Sequence, residues 1–212
     1  MTKKSALIWE FFRKAVHLSS LLIVIGYTLL LNYFSDRVAI LIMTSLLLIL
    51  LEIEHVRLEH RSSAVAFFDK LFRKKEKDHV SGAIFLVASC IIAFSAFEYW
   101  VAFVALFMTV FGDMFSAIVG RAFGKIVIYK NKTLEGSMAG LIANLTVGLL
   151  ILPDFFLLIV PMAFTATAVE VVTNKLDDNF TVPLFAGFVG QMIVYYTDIT
   201  LPPIDFTFLG LF

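Results

Sequence analysis

The stretch Thr109–Gly140, TVFGDMFSAIVGRAFGKIVIYKNKTLEGSMAG, decides the reading of this chain. Val101 to Val119 is apolar almost throughout and approaches the ~20 residues a helix needs to cross a bilayer. Asp113 interrupts that run. A carboxylate at such depth is costly in lipid, so it is expected to face protein, a cation or water. Asp113, Ser116, Ala117, Gly120 and Gly124 recur at helical spacings of three and four and share one small, polar face. Arg121 and Lys125 follow, then Lys130, Lys132 and Thr133. Glycines let backbone N–H groups turn toward an anion, and Arg and Lys neutralise phosphate. Thr133 stands where the next apolar helix needs an N-cap, and the positive end of that helix favours an anion. A membrane-embedded carboxylate beside a phosphate-binding loop over residues 120–137 points to Mg²⁺ and a nucleotide. The plainer alternative is an ion pair from Asp113 to Arg121 or Lys125 beside an ordinary basic loop.

Composition sets the frame for that stretch. The chain has 212 residues and is 60% hydrophobic, against about 45–50% in soluble domains. This predicts an all-α, polytopic transmembrane bundle forming one integral-membrane catalytic domain over residues 1–212. The formal net charge is zero, which gives no reason to expect a nucleic-acid partner. The single cysteine, Cys90, lies in an apolar run and excludes an intrachain disulfide. The first apolar run contains Glu10, Arg13, Lys14 and His17 and continues past the length of a signal peptide, so no cleavable signal is expected.

Seven spans are predicted, over Ala6–Leu31, Val38–Ile53, Val80–Phe97, Tyr99–Val119, Leu134–Leu152, Phe155–Val172 and Val182–Tyr196. With the N-terminus in the cytoplasm, all of the 17 Lys and Arg residues except Arg37 fall on the inner side, as the positive-inside rule requires. The longest inner segment is a cytoplasmic loop over residues 54–79. Glu54, His55 and Arg57 at its start are expected on a solvated helix face.

Other polar groups converge on the same inner edge. Glu10, Arg13, Lys14 and His17 form one stripe on the first helix; Lys14 suits snorkelling, whereas Arg13 and His17 lie deeper and are expected to face the bundle. The fifth span opens with Glu135, Gly136 and Ser137. The sixth carries Glu170, with Thr173, Asn174 and Asp177 expected on its face and Asp178 just beyond. Asp113, Glu170 and Asp177 together make a candidate divalent-metal environment. The glycines of the fourth and fifth spans also suit close packing, within one bundle or between two copies in a homodimer.

These motifs, taken in order, resemble the CTP-dependent lipid kinases: dolichol kinase, phytol kinase and the CTP-dependent diacylglycerol kinase. The matching elements are Glu10-Phe11-Phe12-Arg13-Lys14 with His17, Glu54-His55-Val56-Arg57, Ser81-Gly82-Ala83, Gly112-Asp113 with Ala117 and Gly120, Phe123-Gly124-Lys125, Lys132-Thr133-Leu134-Glu135-Gly136-Ser137, and Glu170 followed by Asp177-Asp178-Asn179-Phe180 and Pro183-Leu184. The resemblance implies transfer of the γ-phosphoryl of CTP, with Mg²⁺, to the hydroxyl of a membrane lipid alcohol, a polyprenol or dolichol before a phytol-like alcohol or diacylglycerol. Residues important in such kinases map onto Arg13, Lys14, Asp113 and Gly120. The resemblance also implies that this chain corresponds to the catalytic portion of larger relatives.

Residue chemistry and resemblance together assign the roles. Asp113, with Glu170 or Asp177, holds Mg²⁺; Asp113 or Glu170, and less readily His17, orients or deprotonates the acceptor; Arg13 and Lys14 stabilise the migrating phosphoryl. Gly112, Gly120, Arg121, Gly124, Lys125, Lys132, Thr133, Glu135, Gly136 and Ser137 form the nucleotide site at the cytoplasmic face. Two other readings compete. A CTP-using phosphatidate cytidylyltransferase would need the same nucleotide and metal, but the paired Asp-Arg and Asp signature near the C-terminus is missing. An ion-coupled transporter would also bury carboxylates, but would place them near the midplane and carry an inverted repeat.

Overall fold

The computed structural model describes residues 21–60, 80–130, 132–173 and 176–204. Arg13, Lys14 and His17, most of the cytoplasmic loop, Asn174 and the end of the C-terminal tail lie outside the described residues. Within them are seven helices: α1 (Leu21–Tyr33), α2 (Asp36–His60), α3 (Gly82–Ala96), α4 (Tyr99–Phe123), α5 (Leu134–Ile151), α6 (Phe156–Val172) and α7 (Asp178–Thr197). A small hairpin of β1 (Val127–Tyr129) and β2 (Lys132–Thr133) joins α4 to α5. Asp36–Glu59, Tyr99–Phe123, Leu134–Ile151 and Asp178–Thr197 are long and apolar enough to cross a membrane, and α1, α3 and α6 are shorter apolar helices. The protein is an all-α helical membrane protein.

Helix α4 is the axis of the bundle. Of its spanning stretch 61% is buried, against 17% for α2, whose Leu41, Ile42, Leu48 and Ile49 face outward as lipid-facing side chains should. One side of α4 supplies Ala102, Leu106 and Val110 to a core shared with α1, α2 and α3 through Val24, Tyr27, Met43, Leu86 and Val87. Its other side gives Val101, Val104, Ala105 and Met108 to a second core with Ile159, Met162, Ala166 and Ala186 of α6 and α7. Its most extensive packing is with α5. Small residues allow it: a Cβ on Gly136 would stand 2.7 Å from the Ser116 carbonyl oxygen and 3.0 Å from the Gly120 Cα. Backbone atoms cannot step aside, so the crossing requires glycine there.

The last helix and the loop before α5 differ from expectation. The last helix begins at Asp178 rather than Val182, because Asp177 caps it by accepting the Asn179 N–H at 3.0 Å. Pro183 therefore lies inside the helix instead of opening it. Proline has no N–H, which would leave the Asn179 carbonyl without its partner one turn on. The Ser89 hydroxyl of α3 faces that oxygen, its Oγ 2.8 Å away, and shares its one proton with the Leu86 carbonyl at 2.9 Å. Asp177 consequently does not continue the face of Glu170, since α6 ends at Val172.

The second difference is the hairpin. Within residues 120–137, read as a loop, Val127–Tyr129 and Lys132–Thr133 pair as short antiparallel strands with an irregular register between Val127 and Tyr129. Lys130 takes the left-handed backbone at the turn, with φ 49°.

Candidate active site

The last turns of α2, α4 and α6 and the first turns of α3, α5 and α7 meet at one end of the bundle, and polar groups collect there. Asp113, Ser116 and Glu170 are each buried. The Ser116 hydroxyl donates to Glu170 Oε1 at 2.6 Å, and the Lys132 ammonium donates to the same oxygen at 2.7 Å. Glu170 Oε2 lies on the side of Gly140, where a Cβ would stand 3.6 Å from it. Residues from α4, β2 and α6 are thus tied at a single carboxylate.

Lys132 is the basic member of this cluster, with its side chain 32% exposed. Burial pulls its pKa down; the Glu170 charge and hydrogen bond, then Asp113 and Asp178, more than offset that and raise it. Three carboxylates therefore act on one ammonium. Carboxylates gathered in this way suit a divalent cation. Asp113, Glu170 and the Ser116 hydroxyl offer the hard oxygen donors that Mg²⁺ prefers, so the residues fit the ion. Among the described residues no three His, Cys, Asp or Glu side chains form a ready metal cage. Mg²⁺ commonly takes one or two carboxylates and completes its shell with substrate phosphates and water.

The loop residues divide by what they touch. Thr133 is the expected N-cap of α5: its Oγ1 accepts the Gly136 N–H at 3.2 Å, and its carbonyl accepts the Ser137 hydroxyl at 3.0 Å. Glu135 is half-buried, and its carboxylate accepts the Ile126 N–H at 3.3 Å, fastening the hairpin base to α5. The glycines lie along the α4–α5 contact: Gly112 against the Asn144 amide, Gly120 and Gly124 against Thr133, Gly136 against the Ser116 carbonyl. Their small size is used by helix packing. Arg121 and Lys125 are exposed at the end of α4 and the start of the hairpin. The charge acting on Lys132 from α7 is that of Asp178, whereas Asp177 caps the helix beside Gly82.

Glu54 and Arg57 correct the sequence reading. Both are buried rather than solvated. Arg57 Nε and Nη2 donate to Glu54 Oε2 and Oε1 at 2.8 and 2.7 Å, and Glu54 Oε1 also accepts the Ser81 N–H at 2.7 Å. A bidentate pair on α2 thus holds the N-terminus of α3. The i, i+3 spacing carried the pairing, but the loop's overall polarity hid its burial. Two buried amides also connect the bundle. Asn144 donates to Thr167 Oγ1 at 3.1 Å, joining α5 to α6. Asn179, beside Gly82, donates at 3.4 Å to that residue's carbonyl.

Fold and cluster together define a helical membrane protein with a buried carboxylate–lysine centre at one end. Sequence comparison adds a narrower likeness. A stretch of 76 residues is 37% identical to CTP-dependent diacylglycerol kinase 1 of Eremothecium gossypii, covering 35% of this chain and 24% of that protein. The match therefore spans about a quarter of the kinase's length. An uncharacterized protein of Rickettsia prowazekii is 26% identical over 186 residues, covering 81% of this chain and 88% of that protein. No family profile and no solved structure matches the chain.

Proposed function

We propose that this protein is a CTP-dependent lipid kinase, transferring the γ-phosphoryl of CTP to the hydroxyl of a membrane lipid alcohol and releasing CDP. The observation that carries the proposal is the buried Asp113–Ser116–Glu170–Lys132 cluster at one membrane end of the bundle. The kinase likeness supports its chemistry. Phosphoryl transfer asks mainly for positioning and charge stabilisation. A buried carboxylate set with one lysine provides both. For the acceptor, the name of the kinase relative favours diacylglycerol; a polyprenol rests on the motif resemblance.

Asp113 and Glu170 would hold Mg²⁺, which when bound neutralises charge on the β- and γ-phosphates. Lys132 exchanges part of its contact with Glu170 for a phosphate oxygen. Arg121, exposed at the end of α4, attracts the rest of the triphosphate. Asp113, a buried carboxylate of the same cluster, is assigned to the acceptor. It takes the hydroxyl proton as the lipid oxygen bonds to the γ-phosphorus and the bond to the β-phosphate oxygen breaks. The hydroxyl arrives laterally from the inner leaflet, on the side where the basic residues gather.

The test offers purified protein CTP labelled at the γ-phosphate, with diacylglycerol, a polyprenol or phosphatidate in separate reactions. Label in the lipid with an alcohol acceptor supports the kinase and names the acceptor. Label leaving as pyrophosphate with phosphatidate alone would replace it with a cytidylyltransferase.

A further inference from the structure

The hairpin between α4 and α5 has the wrong surface for a water-exposed loop. Phe123, Ile126, Val127, Ile128 and Tyr129 are all exposed, from 43% for Tyr129 to 69% for Phe123. Successive side chains of a strand point to opposite faces. Both faces of this strand are therefore apolar and uncovered, and the usual alternation of wet and dry sides is absent. A contiguous apolar patch of this kind marks a contact with something else.

Its position and charge identify that contact. The hairpin joins two helices that are each long and apolar enough to cross a membrane, so it lies at the level where both leave the bilayer. From Met114 to Leu134 the chain has no acidic residue, while Arg121, Lys125, Lys130 and Lys132 are basic. Lys125 and Lys130 are exposed, and the Lys130 ammonium stands 5.4 Å from the centre of the Tyr129 ring. Apolar and aromatic side chains edged by lysines are what an interfacial element presents to acyl chains below and anionic headgroups above.

We infer that the hairpin Lys125–Lys130 is seated in the inner interface of the bilayer and binds anionic lipid headgroups. This stands on the exposed surface and its charge, and does not depend on the kinase proposal. It has a consequence for the site: β2 follows directly, and its Lys132 holds Glu170 at 2.7 Å. Bilayer contact at the hairpin therefore steadies the lysine at the centre of the cluster.

The experiment places a nitroxide at Ile128→Cys or, on the opposite strand face, Tyr129→Cys. The native Cys90 is fully buried and escapes labelling. Each labelled full-length protein is placed in nanodiscs of phosphatidylcholine alone or mixed equally with phosphatidylglycerol. Both labels are expected to collide more with oxygen, which concentrates in lipid, than with a water-soluble nickel chelate. Phosphatidylglycerol is expected to deepen them, and Lys125→Gln/Lys130→Gln to abolish that shift. Labels that favour the nickel chelate in both membranes would overturn the inference. So would spin–spin broadening between copies, which would make the hairpin a protein interface, and so would indifference to phosphatidylglycerol.

Discussion

Asp113, Glu170 and Lys132 carry the chemistry of this account, and each could be singled out in the sequence. Asp113 is an isolated charge in an apolar helix, Glu170 lies inside a span, and Lys132 directly precedes a helix cap. Their mutual geometry was not legible, because Lys132 and Glu170 are separated by 38 positions and no local spacing reports such a contact. Asp113→Asn is expected to lower lipid phosphorylation by about 10²–10⁴-fold, the range typical of a lost catalytic acid or base, with little change in melting temperature. Lys132→Gln should chiefly raise the KM for CTP, because it removes charge from the phosphate side, and initial-rate kinetics over CTP concentration would show it. Glu54 and Arg57 behave differently. Arg57→Ala leaves the Glu54 carboxylate buried without its guanidinium and is expected to cost about 3–5 kcal/mol of stability. The paired change Glu54→Leu/Arg57→Met should recover much of that in a thermal-unfolding series. These two residues were misread because the end of α2 looks solvated in sequence, while in space it packs against the start of α3.

The elements were legible where periodic apolarity was long, and less so at their ends. The central helix α4 and the N-cap of α5 at Thr133 follow directly from apolar length and a capping residue. The hairpin was hidden because its strands are too short and too uniformly apolar to show alternation. The start of α7 was hidden because Pro183 suggests a boundary, whereas the Ser89 hydroxyl faces the carbonyl that proline leaves unpaired. Ser89→Ala should therefore expose that buried carbonyl at a cost of about 1–3 kcal/mol, measured as a fall in melting temperature in detergent. Gly136→Ala places a methyl against the Ser116 carbonyl and the Gly120 Cα. Overpacking of this kind costs about 1–3 kcal/mol and should also move Ser116 away from Glu170. Loss of activity is therefore expected to accompany the loss of stability.

For the whole molecule, the helical membrane class follows from hydropathy, because lipid forces each spanning segment to satisfy its own backbone; of the seven spans expected, four of the helices among the described residues are long and apolar enough to cross a membrane. The ordering of the charges predicts an orientation: cysteines at Lys130 and Asp178 should be reached by a membrane-impermeant thiol reagent from the cytoplasmic side, and cysteines at Asp154 and Asp198 only from the other. The glycines are taken up by the α4–α5 contact, which sequence left open because small residues suit a ligand and a neighbouring helix equally. Phosphoryl transfer is proposed for one buried cluster at one end of the bundle. The most direct measurement compares wild type and Asp113→Asn, matched for folded protein in the same nanodiscs, for transfer of γ-labelled phosphate from CTP to diacylglycerol and to a polyprenol. The account requires wild type to label one of these lipids and the variant to lose that transfer while keeping its melting temperature. Equal transfer by both proteins, or no label in either lipid from wild type, would contradict it.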